Sequence, residues 1–318
     1  MTTFFGFPGR RFATAQNREA RSHRPPAEAD LQRTLLRRVA QETSAATDRM
    51  QRLVGEHTNL AWSQKYSAHA RNIPRTHPPF TGHGTTIKVV NMDTLDAATE
   101  LWRRAMEQRD ARSGRYPRPA VLNFANADRP GGGWLNGAMA QEEAICYRST
   151  LARSLDKRHY PLRENEGIYS SRVIVLRSSE KSGHKWLRYK TAEDLPWFSA
   201  LTIAAIYKPE TRSERVGTPP QWTKVFARQQ DREVTKTKMR LALRMAATNG
   251  HDMLVLGAFG CGVFENPPWD VARCWLEVLR EHAQQHAHQW RCVWFAVYDP
   301  RGQGNFRTFK EVLDGKRV

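Results

Sequence analysis

From Thr86 onward, short apolar runs alternate with stretches in which apolar residues recur every three or four positions. Ile87–Val90, Ala120–Ala125, Val173–Leu176, Leu201–Ile206, Met253–Leu256 and Val293–Tyr298 are short and nearly continuous in apolar character, which predicts buried strands. Between them, Leu95, Ala98, Trp102 and Ala105 share one helical face, as do Val271, Trp275, Val278, Leu279 and His282. Further helices are expected from Gln141 and over Val234–Ala247. Asn266 followed by Pro267 is a sound helix start, with proline in the first turn. Strand–helix alternation of this kind predicts a three-layer α/β domain around a largely buried sheet.

Upstream the pattern changes. Residues 1–28 are polar and arginine-rich, with Pro25 and Pro26, and read as a disordered basic tail. Arg10, Arg11 and Arg18 precede most acidic residues, a composition that a mitochondrial presequence shares. Asp30 reads as the cap of a helix with Leu31, Leu35 and Val39 on one face and further turns through Met50 and Leu53. His77, Pro78 and Pro79 read as a linker. The expected organisation is therefore a tail (1–28), a helical N-terminal extension with its linker (29–85) and a main domain (86–318). Ser178–Thr235, charged and weakly patterned outside one strand, is expected to form surface loops or an insertion.

Composition narrows the class. A 318-residue chain with 40% hydrophobic residues and 10 tryptophans can fill a core, while a mean hydropathy of -0.68 implies a well-solvated surface. No run approaches the ~20 apolar residues of a membrane span, and no apolar signal core opens the chain. Cys146, Cys261, Cys274 and Cys292 lack CxxC spacing and read as thiols of a reducing compartment, nucleus or cytoplasm. A formal charge of +18 favours a polyanionic partner, with non-specific nucleic-acid contact one outlet for it.

The chemistry concentrates in Asn123–Glu143. An apolar run leads into Gly131, Gly132 and Gly133, and after Trp134–Ala140 come Gln141, Glu142 and Glu143. Glycines let backbone N–H groups close on an anion, and adjacent carboxylates beside them supply acid–base chemistry. A second glycine turn, GAFGCGVF over Gly257–Phe264, also follows an apolar run and precedes a helix. Two such turns at one sheet edge suggest a diphosphate clamp. Neither fits the Walker or GxGxxG pattern, so nucleotide-triphosphatase and nicotinamide readings lose ground. Adjacent glutamates cannot bracket a sugar from opposite faces, so one positioning and one acid–base group is the economical division.

These motifs together resemble the microbial-type (bacterial and fungal) poly(ADP-ribose) glycohydrolases, from roughly Thr86 to the C-terminus. The resemblance implies a macrodomain-like fold, with a six-stranded mixed sheet between helices, and hydrolysis of ribose–ribose bonds in poly(ADP-ribose). It implies Glu143 as general acid–base, Glu142 holding sugar hydroxyls, and Asn126 binding the distal ribose. Gly131–Gly133 and the Gly260, Cys261, Gly262 and Val263 loop would wrap the diphosphate. Phe264 would press on the terminal ribose, Gln141 would complete the substrate site, and Asp93 would read adenine. No metal or cofactor is required, because a carboxylate and the substrate's own diphosphate can stabilise an oxocarbenium-like state. Expected partners are poly(ADP-ribose) and ADP-ribosylated proteins, bound by a monomer, with no membrane. In this family an N-terminal helical segment can favour cleavage at chain ends.

Plainer readings stand beside these. Asn126 can shape a turn, Phe264 can be core, Asp93 can cap a helix, and Cys261 can be a small packing residue. His282, His286 and His288 have zinc-like spacing without supporting cysteine or carboxylate, and a solvated helix end accounts for them. A non-catalytic ADP-ribose reader and a nucleic-acid-binding protein are the competing functions. The carboxylate pair argues against the first, and the lack of a recognisable motif against the second.

Overall fold

The computed structural model describes residues 26–69, 84–107, 118–285 and 290–318. The basic tail up to residue 25, the linker at His77, Pro78 and Pro79, and His286 and His288 lie outside the described residues.

The elements in chain order are α1 (Pro26–Val54), β1 (Ser63–Ser67), β2 (Ile87–Val90), α2 (Thr94–Glu107), β3 (Ala120–Phe124), α3 (Gln141–Arg148), α4 (Leu151–Ser154) and β4 (Glu166–Ile174). After them come β5 (Trp197–Ile203), β6 (Thr211–Val216), β7 (Gln221–Phe226), α5 (Gln229–Thr248), β8 (Met253–Leu256), α6 (Pro268–Gln285), β9 (Cys292–Ala296) and α7 (Asn305–Leu313). A seven-stranded mixed sheet runs β1-β4-β5-β3-β8-β9-β2, and β6–β7 form a separate hairpin. The strands from β5 to β2 in that order pair in parallel, and β4 and β1 are antiparallel additions.

All six strands expected from the apolar runs are present. The seventh, β1, corrects the strand count. Its sequence, Ser-Gln-Lys-Tyr-Ser, buries only Tyr66, because an edge strand packs on one side and leaves the other to water. Lys65 pairs with Glu166 of β4 at 2.7 Å across this edge. Ser63–Ser67, within the expected extension, thus supply a strand of the main sheet.

The face assigned to the first helix is also corrected. The helix begins at Pro26, so Asp30 sits inside it and not at its cap. Leu31 and Leu35 are exposed, whereas Leu36, Ala40, Thr43, Thr47 and Met50 point inward. Threonine and alanine fill much of the buried stripe, which is why leucine spacing chose the wrong side.

Alternation along β3 divides the core. Ala120 and Leu122 join a cluster with Met239 of α5, Trp275 of α6 and Phe309 of α7. Val121 joins the opposite cluster with Leu36 of α1, Leu101 of α2 and Ile145 of α3. The next residue on Val121's side is Asn123, fully buried under α3. The segment from Ser178 to Thr235 contains β5 and the hairpin besides its loops. No helix among the described residues is long and apolar enough to cross a membrane.

Candidate active site

The site forms where β3 ends. Past Phe124 the Asn126 side-chain oxygen accepts from Asp128 N at 2.9 Å and Arg129 N at 3.0 Å, folding the chain into a turn. Gly131 and Gly132 follow with φ of 70° and 59°, a left-handed path that side chains disfavour. A Cβ on Gly132 would collide with Glu143 Oε1, and one on Gly131 would lie 2.8 Å from Trp134 Cδ1. Glycine is needed here for close approach to the carboxylate.

The spacer is braced from two sides. The Tyr147 hydroxyl of α3 lies 2.8 Å from the carbonyls of both Trp134 and Ala138. From outside, Arg37 Nε of α1 donates to Asn136 O at 3.2 Å, and Gly137 admits the α1 backbone so closely that a Cβ would strike Arg33 O.

α3 then delivers the carboxylates. Gln141 Oε1 accepts from Phe124 N at 2.8 Å, and its Nε2 donates to Leu122 O at 2.7 Å. Its amide is committed to β3, so Gln141 positions α3. Glu142 is 2% exposed, with Oε2 accepting from Asn126 N at 2.8 Å and Oε1 from Asn123 Nδ2 at 3.1 Å. Glu143 is 9% exposed, and its Oε1 accepts from Gly133 N at 2.9 Å. The neighbours therefore differ in duty: Glu142 is tied into the interior, and its bonds oppose the reach that holding sugar hydroxyls would need.

Burial pushes the Glu142 carboxyl up to about 8; the Asn126 N–H pulls against this, and the charge of Glu143 adds to it. Burial raises Glu143 as well, against the Gly133 N–H. Carboxyls shifted this way stay protonated at higher pH than free glutamate, as a general acid requires.

The second loop leaves β8, the strand beside β3. A Cβ on Gly257 would lie 2.9 Å from Phe124 Cζ, and Phe124 and Phe259 meet edge-on at 5.9 Å, so the two turns share a wall. Gly260 has φ 74°, and a Cβ there would press on Asn266 Nδ2 at 2.6 Å and Ala205 Cβ at 2.7 Å. Asn266 Nδ2 lies within hydrogen-bonding reach of Ile206 O (2.7 Å), Gly260 O (3.2 Å) and Phe264 O (3.2 Å), stapling the loop to the end of β5. Gly262 and Val263 are exposed, and Phe264 is half-buried with its ring edge-on to Tyr207 at 5.3 Å. Cys261 is buried, its Sγ 3.7 Å from Phe259 O. Its side chain packs, and only its backbone can serve the loop.

Asp93 makes the helix cap of its plainer reading. Its Oδ1 caps α2 by accepting from Leu95 N at 2.8 Å, and it also pairs with the buried Arg148, which reaches Asp96 at 2.5 Å. Two contributors escaped the sequence reading. Asn123 was visible as an amide inside an apolar strand, a residue type that demands a partner. Asn266 read only as a helix start. No group of three or more His, Cys, Asp or Glu residues among the described residues is arranged to hold a metal ion.

Parallel strands ending in two glycine turns around buried carboxylates define a macrodomain-like α/β domain equipped for acid–base chemistry. Residues 36–178 match the family of the microbial-type PARG catalytic domain, so that stretch of the chain is similar to poly(ADP-ribose) glycohydrolase catalytic domains. The match begins within α1, well before Thr86. Among solved structures, poly(ADP-ribose) glycohydrolase from Thermomonospora curvata is 24% identical, with a TM-score of 0.62 over 87% of this chain and 98% of that one, a likeness of fold. Its complex with the inhibitor ADP-HPD gives 24% identity, 0.61, 87% and 98%. The Deinococcus radiodurans glycohydrolase in complex with ADP-ribose is 28% identical, with a TM-score of 0.55 over 79% of this chain and 94% of that one. No curated protein matches the chain.

Proposed function

We propose that this chain hydrolyses the ribose–ribose bonds of poly(ADP-ribose) and releases ADP-ribose, with Glu143 as general acid–base. One observation carries the assignment: a desolvated carboxyl is fixed by Gly133 N–H in the glycine turn at the carboxyl end of a parallel strand. The Gly260–Val263 backbone grips the diphosphate through N–H groups, while those of Gly131, Gly132 and Gly133 hold Glu142, Arg129 O and Glu143 and so shape the wall beside it. Glu143 then protonates the ribose oxygen that leaves. Positive charge on the anomeric carbon is balanced by the ionised Glu143 and by the substrate's diphosphate. The same carboxylate takes a proton from the incoming water, which restores the acid. Glu142 is a positioning residue: it fixes the Asn126 backbone. The Asn126 amide serves the distal ribose, and Phe264 lies against the terminal ribose.

Chain-end cleavage is part of the proposal. It is supported by α1, which packs on the Trp134–Gly137 spacer through Arg37 on Asn136 O and the close approach of Arg33 O to Gly137. Incubating purified protein with labelled poly(ADP-ribose) tests both claims. Free ADP-ribose from the earliest times is expected. Binding without release would leave a non-catalytic reader, and early oligomers would contradict end-directed cleavage.

A further inference from the structure

The β6–β7 hairpin carries charge and an aromatic ring that the site above does not use. On one face Arg212 and Glu214 join Arg228, Arg232, Arg273 and Asp270 around a cleft of about 320 Å³, where arginines outnumber carboxylates. On the other face the register sets Arg215 directly opposite Trp222, and Ser213 opposite Lys224. Trp222 is 71% exposed, so burial does not explain it. An exposed indole flanked by cations is a stacking platform for a base.

The hairpin grows out of the rim of the active site. Lys208 N donates to Phe264 O at 3.0 Å, three residues before β6 begins, and Tyr207 packs on Phe264. At its other end Phe226 N donates to Asp270 Oδ2 at 2.8 Å, in the first turn of the helix that follows the Gly260–Asn266 loop.

We propose that the hairpin is a second poly(ADP-ribose) subsite, outside the glycine turns: Trp222 stacks on an adenine of a unit not being cleaved, and the arginine cleft takes a diphosphate. The identity of the polymer rests on the proposed function. Arg212–Glu214 (2.5 Å) and Arg228–Glu210 (2.7 Å) are exposed pairs that contribute little, so a diphosphate competes for these guanidiniums. The polymer carries two phosphates for each base, where nucleic acid carries one. An arginine cleft on one face of the hairpin and a single exposed ring on the other fit the former, with the polymer passing over the hairpin edge.

The test uses the full chain with Glu143→Gln, so that polymer survives the measurement. Binding of long size-fractionated poly(ADP-ribose), monomeric ADP-ribose and length-matched single-stranded RNA is followed by anisotropy. Adding Trp222→Ala should weaken polymer binding about tenfold, the scale of one lost stack, with ADP-ribose affinity unchanged. Trp222→Phe should restore most of the loss. Removing Arg212 and Arg273 together should flatten the salt dependence for polymer. Polymer binding that ignores these substitutions overturns the subsite. RNA that binds as tightly as polymer, and loses the same affinity, overturns it in favour of a nucleic-acid surface. Because binding is read without turnover, failure of hydrolysis in the parent chain would leave this result standing. A hydrolysing parent with hairpin-independent polymer binding would reject only the subsite.

Discussion

The carboxylates beneath the glycine turn and the arginines of the hairpin cleft are both concentrations of like charge, and the chain treats them oppositely. Glu142 and Glu143 are withdrawn from water and held by fixed donors, three of them backbone or amide N–H groups at 2.8–3.1 Å. Arg212 and Arg228 stay at the surface, paired with carboxylates that are themselves exposed, while Arg232 is drawn in against Glu277 and Asp270. Desolvation changes proton affinity and so creates chemistry, whereas exposure preserves charge and so permits capture. The difference also separates sensitivity: the cradle has no slack, and the cleft has much.

The largest break in this comparison comes from Gly132→Ala. Its Cβ would collide with Glu143 Oε1 on a left-handed backbone, so ADP-ribose release should fall by about 10²–10⁴, the share usually supplied by a general acid–base group. Turnover assays read this directly. Gly217→Ala, at the hairpin with φ 82° and an added Cβ no nearer than 3.6 Å to a carboxylate (Glu311 Oε1), should lose stability and keep turnover.

Next comes the pH dependence of folding. The folded value of Glu142 is raised from 4.5 to about 8, so the stability it contributes is complete below 4.5 and is lost as pH rises through 8. Glu142→Gln should remove that decline, and its melting temperature relative to the parent should improve across this window. Parallel melting curves against pH would contradict the burial argument.

Asn123→Ala should cost about 1–3 kcal/mol, because it removes a buried donor to Glu142 and leaves Thr202 Oγ1 without that contact. Denaturant unfolding measures it. At the small end, Arg228→Ala should change stability by no more than about 0.5 kcal/mol, since its pair with Glu210 is exposed.

What the sequence disclosed follows the same physics. Central parallel strands are apolar on both faces, so β3, β8 and β9 announced themselves. β1 did not, because an edge strand of Ser, Gln, Lys and Tyr looks like a loop. The glycine triplet and Gln141–Glu143 could be joined into one site because left-handed turns need glycine and acidic residues suit a helix start. The partners of Gln141 were hidden, being backbone atoms of Leu122 and Phe124 whose positions only the folded sheet defines. Asp93 illustrates the converse: its capping of α2 is a local bond legible from spacing, but its pairing with Arg148, 55 residues away, is not. Asn266 lay in the same blind spot, since its acceptors come from the ends of two separate strands.

The central claim is that Glu143 moves the proton and does not hold the substrate. Single-turnover release of ADP-ribose from labelled polymer, measured on Glu143→Gln beside the parent and paired with ADP-ribose affinity, tests it most directly. The account predicts release slowed by at least about a hundredfold with affinity nearly unchanged. Release at close to the parent rate would contradict it.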